Sequence, residues 1–216
     1  MDYLYVGALA TTSSFPQGTN NPLAGGNVGQ LIVDEFGGPQ YAAAYRGNTF
    51  IGANQAVVAT ALAAGLTATN TGGLVLNNPI GNTKNLVLRA VSVGVILAQT
   101  NAAVISIGTG YSSTVAIAGT LTAITPSNAL VGPGGAASTA GLYSSASITL
   151  QATPVIARHI CSVSTGALTV QQGLQFYVDL QGGIVLQPGA YANIVSSAAG
   201  TASSLFFGFV WTELPI

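Results

Sequence analysis

Leu174-Gln175-Phe176-Tyr177-Val178-Asp179-Leu180 decides the fold class. Successive side chains of an extended chain point to opposite faces, so Leu174, Phe176, Val178 and Leu180 share one face and Gln175, Tyr177 and Asp179 the other. A second stretch repeats the alternation near the C-terminus. There Leu205, Phe207, Phe209 and Trp211 lie together, opposite Phe206, Gly208 and Val210. Between the two, Gly182-Gly183 reads as a turn into Ile184-Val185-Leu186, and Gln187-Pro188-Gly189 as a turn into Tyr191–Val195.

Outward from these stretches the pattern stays short-stranded. Leu86–Leu97 is apolar on both faces and rich in Val, which predicts a central strand. Leu74-Val75-Leu76 runs into the turn Asn77-Asn78-Pro79-Ile80-Gly81-Asn82, where Pro79 fixes its φ and Gly81 is free to take a positive one. Ala103–Ile107, Val115–Ala118, Leu121–Ile124, Ser147–Ala152, Val155–Val163 and Leu168–Val170 read as further strands. Pro126–Tyr143, with Gly132-Pro133-Gly134-Gly135, reads as a long loop. Ala56–Ala64 is ambiguous: its Ala and Leu favour helix, while Val57, Val58 and Thr60 favour strand, and the turn spacing after Gly65 tips it to strand. Thr11–Gly29 is dense in Pro, Gly and Asn and predicts an irregular arm. Gln30–Phe36 and Tyr41–Arg46 flank Gly37-Gly38-Pro39 as a short strand pair. The expected organisation is an arm with a strand pair over 1–50 and an all-β domain over 51–216. That domain is a jelly-roll sandwich, or alternatively a small barrel.

The charge content constrains function. Among 216 residues there are four basic and five acidic side chains, 4% in all, with a net charge of −1. Soluble domains carry roughly 25% charged residues and stay dispersed by mixed surface charge and a net charge away from zero. A chain without either is expected to be covered by copies of itself or by a partner, and it offers little for catalysis. Mean hydropathy is +0.57, yet no apolar run approaches the ~20 residues a spanning helix needs. Neither a signal peptide nor a membrane span is expected. A single cysteine, Cys161, rules out an internal disulfide framework. The four bases are scattered, which argues against a nucleic-acid-binding surface.

Few residues could carry chemistry. His159 and Cys161 stand two apart on an expected strand, hence on one face, but a metal needs three or four ligands. With one histidine and no Gly-x-Ser-x-Gly elbow, a hydrolytic triad has little support. Asp34 and Glu35 are adjacent and point to opposite sides of a strand, a poor arrangement for paired acid and base work. No residue is assigned to catalysis, to a cofactor or to a metal. Phe207, Phe209 and Trp211 form an apolar stripe that suits either the core or a subunit or sugar contact. Tyr3, Tyr5 and Phe15 are anchors that an arm could lay into a neighbour. Asp34, Glu35 and Arg46, beside the arm, complete the candidate contacts.

The segment Gly73-Leu74-Val75-Leu76-Asn77-Asn78-Pro79-Ile80-Gly81-Asn82-Thr83-Lys84-Asn85-Leu86-Val87-Leu88 resembles a family of structural proteins of tailed bacteriophages. In these an apolar strand enters an Asn-Pro-x-Gly turn and the next strand opens Lys-Asn-Leu-Val. Gly29–Val33, Tyr45–Phe50, Leu186–Tyr191 and Trp211–Pro215 are similar to the same family. The resemblance covers residue 29 to the end. It implies a jelly roll like that of tumour-necrosis-factor-like proteins. It also implies a homotrimer serving as a capsid decoration (cement) or head-surface protein that binds the major capsid protein. Such a protein would be made in the host cytoplasm and sit on the virion exterior. The alternatives are a receptor- or glycan-binding head fibre or adhesin module, and a major shell or tail-tube protein.

Overall fold

A computed structural model describes residues 41–54, 62, 64–69, 71–95, 101–132, 135–163, 174–199 and 205–216. The arm, the strand expected at Gln30–Phe36, most of Ala56–Ala64 and Leu168–Val170 lie outside them. A single helical turn, α1 (Tyr41–Tyr45), precedes β1 (Thr49–Ala53), β2 (Thr71–Asn77), β3 (Lys84–Val95) and β4 (Ala103–Tyr111). Three two-residue strands follow: β5 (Ala118–Gly119), β6 (Thr122–Ala123) and β7 (Ser127–Asn128). Then come β8 (Gly141–Thr149), β9 (Val155–Val163), β10 (Leu174–Leu186), β11 (Ala190–Ser196) and β12 (Leu205–Pro215).

The protein is all-β, with two antiparallel sheets. The first runs β10-β3-β12-β1-β7 and the second β5-β8-β2-β11-β4-β9, with β6 also paired to β8. One core cluster joins them, as in a sandwich. Phe50, Leu88, Val91, Phe207, Phe209 and Trp211 come from the first sheet, and Leu74, Leu76, Ile105, Ile107, Ala192 and Ile194 from the second. The alternation read in β12 therefore holds: Leu205, Phe207, Phe209 and Trp211 are each 1% exposed or less. In β10, Phe176, Val178 and Leu180 face the core while Gln175, Tyr177 and Asp179 face out. The Phe50 and Trp211 rings stack with centroids 6.1 Å apart.

Three expectations are corrected. Tyr41–Tyr45 is helical, because three consecutive alanines carry the strongest intrinsic helix preference. Gly182-Gly183 makes no turn; β10 continues through it with a register shift between Asp179 and Ile184. Positive φ at Gln181 (50°) and Gly182 (74°) absorbs the irregularity. The stretch Pro126–Tyr143 is not loop throughout, since it contains β7 and the start of β8. The turn after β2 is as expected, with Gly81 at φ 82°.

Candidate functional site

The two sheets treat their outer faces differently. On the second sheet, every residue of β2 and β11 is buried. Their outward residues Val75 and Tyr191 pack with Ile148 and Leu150 in a second apolar cluster, against which Ile117, Leu121 and Tyr143 are laid. The connection from β8 to β9 must cross β2, β11 and β4, because the two strands sit on opposite sides of them. It crosses on the outside: the Tyr191 hydroxyl donates to the Ala152 carbonyl at 2.5 Å, and the Leu150 amide donates to Ala68 at 2.7 Å. Gly108 of β4 makes room for this strap. A Cβ placed there would stand 3.1 Å from the Pro154 Cβ and 2.7 Å from Asn193 Oδ1. Burial pushes the Tyr191 phenol well above its usual pKa.

Among the described residues, the first sheet carries exposed apolar side chains on its outer face. Ile51 of β1 is 46% exposed, Tyr177 of β10 65% and Val185 of β10 51%. Register places Ile51 beside Val210 on one side of the sheet and Val185 beside Val87 on the other, with the fully buried Thr212 beside Val87 between them. Val87, Phe206 and Val210 on this face are half-buried. Asp179, which accepts from the Gln181 amide at 2.9 Å, and Arg89, whose Nε donates to Thr212 Oγ1 at 3.2 Å, are its charged groups.

Glu213 closes one end of the molecule. It continues the inward series of β12 by one step, so a carboxylate follows Trp211 into the core rim and is only 1% exposed. Lys84 Nζ donates to Oε2 at 3.0 Å, as does Thr139 Oγ1 at 2.8 Å. Ser138 Oγ at 2.6 Å and the Thr139 amide at 2.9 Å donate to Oε1. Burial alone would raise this carboxyl; the hydrogen bonds from Ser138, Lys84 and Thr139 outweigh it and hold the pKa below 4.5. The cluster ties the 135–140 segment to β3 and β12.

β9 forms an edge. Among the described residues no strand pairs with its outer side. Val155–His159 are exposed in succession, with Val155 at 68% and Ile156 at 41%.

The residues singled out by sequence separate widely. Tyr3, Tyr5, Phe15, Asp34 and Glu35 lie outside the described residues. Arg46 is exposed just after α1. Phe207, Phe209 and Trp211 are buried in the core cluster of the single chain. His159 and Cys161 do not share a face. Adjacent Ile105 and Ser106 of β4 pair with Cys161 and His159, so a bulge at Ile160 turns the two apart. Cys161 packs toward the core, and burial raises its thiol pKa to about 11. His159 Nδ1 instead bonds Ser106 Oγ at 2.7 Å, fastening β9 to β4. Among the described residues no group of three or more His, Cys, Asp or Glu could hold a metal ion. None of their helices is long and apolar enough to cross a membrane. The open face of the first sheet was missed because its members are scattered over β1, β3, β10 and β12; only the outward reading of Tyr177 hinted at it.

No protein-family model matches the chain, and no curated protein or solved structure matches it.

Proposed function

We propose that this chain is a structural virion protein: a capsid decoration, or cement, protein that assembles as a homotrimer and binds the outer surface of the major capsid shell. The observation that carries the reading is the open apolar face of the first sheet, in a chain with 4% charged residues. Exposed apolar patches of this kind mark association surfaces, and three copies packing Ile51, Tyr177, Val185 and Val210 against one another would bury them.

The strand order supports a jelly roll. If β1, β2, β3, β4, β9, β10, β11 and β12 are counted one to eight, the first sheet reads 6-3-8-1 and the second 2-7-4-5. Every successive step but one crosses between sheets, the arrangement of two interlocked Greek keys. β8 and the short strands are then an insertion between the fourth and fifth positions. On this reading attachment to the shell is multivalent: three weak contacts per trimer, linked rigidly, act at high effective concentration. Few charges are available for salt to screen. A glycan-binding reading loses the aromatic tail that suggested it, since that tail is core.

The test is light scattering on purified protein combined with co-sedimentation on undecorated capsid shells at low and high salt. A trimer that sediments with shells at both salts is expected. A monomer at micromolar concentration that stays in the supernatant sinks the proposal.

A further inference from the structure

We propose that the end of the sandwich formed by the turns after β2, β4 and β10 is the surface that meets the shell, and that it docks on an uncharged, apolar patch of the shell protein. The inference rests on the decoration reading above and names the contact which that reading leaves open.

The turns are built as one unit around Asn78, the residue before Pro79. Asn78 is fully buried. Its Nδ2 donates to the Lys84 and Leu186 carbonyls, each at 2.9 Å, and its Oδ1 accepts from Asn82 Nδ2 at 2.6 Å. Its backbone bonds the turn after β10 twice: the Asn78 amide donates to Ala190 at 2.9 Å, and the Gly189 amide donates to Asn78 at 2.8 Å. The Ser112 amide donates to Gly189 at 3.0 Å, which adds the turn after β4. The Ile216 amide donates to Thr83 at 3.2 Å, which brings the end of β12 alongside. A surface locked in this way loses little conformational freedom on binding.

This rigid end displays apolar tips. Ile80 is 44% exposed, Tyr111 56%, Val115 51% and Leu214 41%, and none of them belongs to either core cluster. The Tyr111 ring borders Gly189, where a Cβ would stand 3.4 Å from it, and the Val115 amide bonds Ser112 Oγ at 2.9 Å. Together the four side chains present about 400 Å², the size at which an exposed apolar patch marks an association site.

Charge selects the kind of partner. Residues 78–83, 111–117, 135–140 and 187–189 contain no Asp, Glu, Lys or Arg, and Lys84 and Glu213, which flank them, bind each other. A charged partner surface would give up its hydration here and gain no counter-charge. An uncharged one gives up little and removes apolar surface from water. Size selects the shell over a second copy. A stable pairwise interface buries about 800 Å² on each partner, twice what this end presents. Contacts this small hold when several act together. A threefold axis repeats the end at one level, so all three copies of a trimer reach the shell at once.

The test uses full-length protein and undecorated shells. Ile80→Asp combined with Tyr111→Asp should lower shell affinity in co-sedimentation about a hundredfold, since every contact of the trimer carries both changes. Light scattering should return the parent's mass and circular dichroism the parent's spectrum, because both side chains are exposed on turns. Ile80→Leu with Tyr111→Phe should sediment as the parent does. A cross-link gives a reading that does not depend on affinity. Ile80→Cys in a Cys161→Ser background, labelled with a benzophenone on the introduced thiol, should link to the shell protein on irradiation. An acidic double variant that sediments like the parent, with no link to the shell, overturns the proposal and leaves the decoration reading standing on another surface. A link to a second copy of this chain, or a changed mass in the acidic variant, assigns this end to self-assembly and also overturns it. Parent protein that fails to sediment with shells removes the decoration reading and this contact with it.

Discussion

Among the described residues, the outer face of the second sheet is covered by its own chain, and that of the first carries exposed apolar side chains. Over β2 and β11 the polypeptide folds back twice, with Ile117 and Leu121 on one side and the Leu150–Pro154 strap on the other. Over β1, β12, β3 and β10 it leaves Ile51, Tyr177 and Val185 in water. The sheets share a core and similar strand lengths, so the contrast is not one of local propensity. It separates a surface that the described chain covers from one that it leaves exposed. On the proposed assembly the scarcity of charge then has a place: a face that meets another copy needs few ions, and a face already covered needs none.

The comparison breaks first on the open face. Ile51→Asp combined with Val210→Asp puts two carboxylates side by side on adjacent strands of the proposed interface. Like charges brought together across an interface cost several kcal/mol, so the assembly should dissociate to monomers. Each monomer should keep its circular dichroism spectrum and most of its thermal stability, because both positions face away from the core. Sedimentation velocity checks the first outcome and a thermal melt the second. A pair of substitutions that unfolds the chain without changing its association would mean that the face is already covered.

On the covered face the expected sign is reversed. Gly108→Val places a branched side chain where Pro154 and Asn193 already stand. Overpacking of this kind costs about 1–3 kcal/mol. The urea midpoint should fall by that amount while the oligomeric state of the folded fraction stays as in the parent. Displacement of the strap should also open the 150–154 backbone to proteolysis, which mass spectrometry of the fragments would locate.

Much of this contrast was legible in the sequence, though only strand by strand. Alternation in Phe176–Leu180 and Leu205–Trp211 gave the inward and outward sets correctly, because a period of two is a property of the backbone and survives any tertiary arrangement. Whether an outward residue ends in water depends on what crosses above it, and that is fixed by topology. Tyr191 and Tyr177 are both outward tyrosines on strands; one is sealed under Ala152 and the other is exposed. Nothing in their flanking residues separates them. The same limit explains the error over His159 and Cys161. Their spacing gives one face only in a regular strand, and the bulge at Ile160 is set by pairing with β4. Glu213 was legible as a member of the inward series, but its partners Lys84, Ser138 and Thr139 lie far away in sequence and could not be paired with it.

That carboxylate gives the smallest effect and the sharpest control, because it belongs to neither outer face. Glu213→Gln keeps an acceptor for some of the donors and loses the charge that Lys84 faces. Lys84 is 28% exposed and can rehydrate, so the loss should be near the low end for charge-assisted hydrogen bonds, about 1.5 kcal/mol. The folded-state pKa of Glu213 is lowered from 4.5, so the folded chain binds this proton less readily than the unfolded chain. Its contribution is therefore fully present above the unfolded value. It declines as pH falls through 4.5 and on through the lower folded pKa. The difference in urea midpoint between parent and Glu213→Gln should be constant from pH 6 to 8 and shrink steadily in acid. Because the carboxylate sits at the end of the core and not on the open face, both proteins should give the same oligomer at neutral pH. A variant that lost assembly at pH 7 with its stability intact would move the contact surface from the face of the first sheet to this end of the molecule.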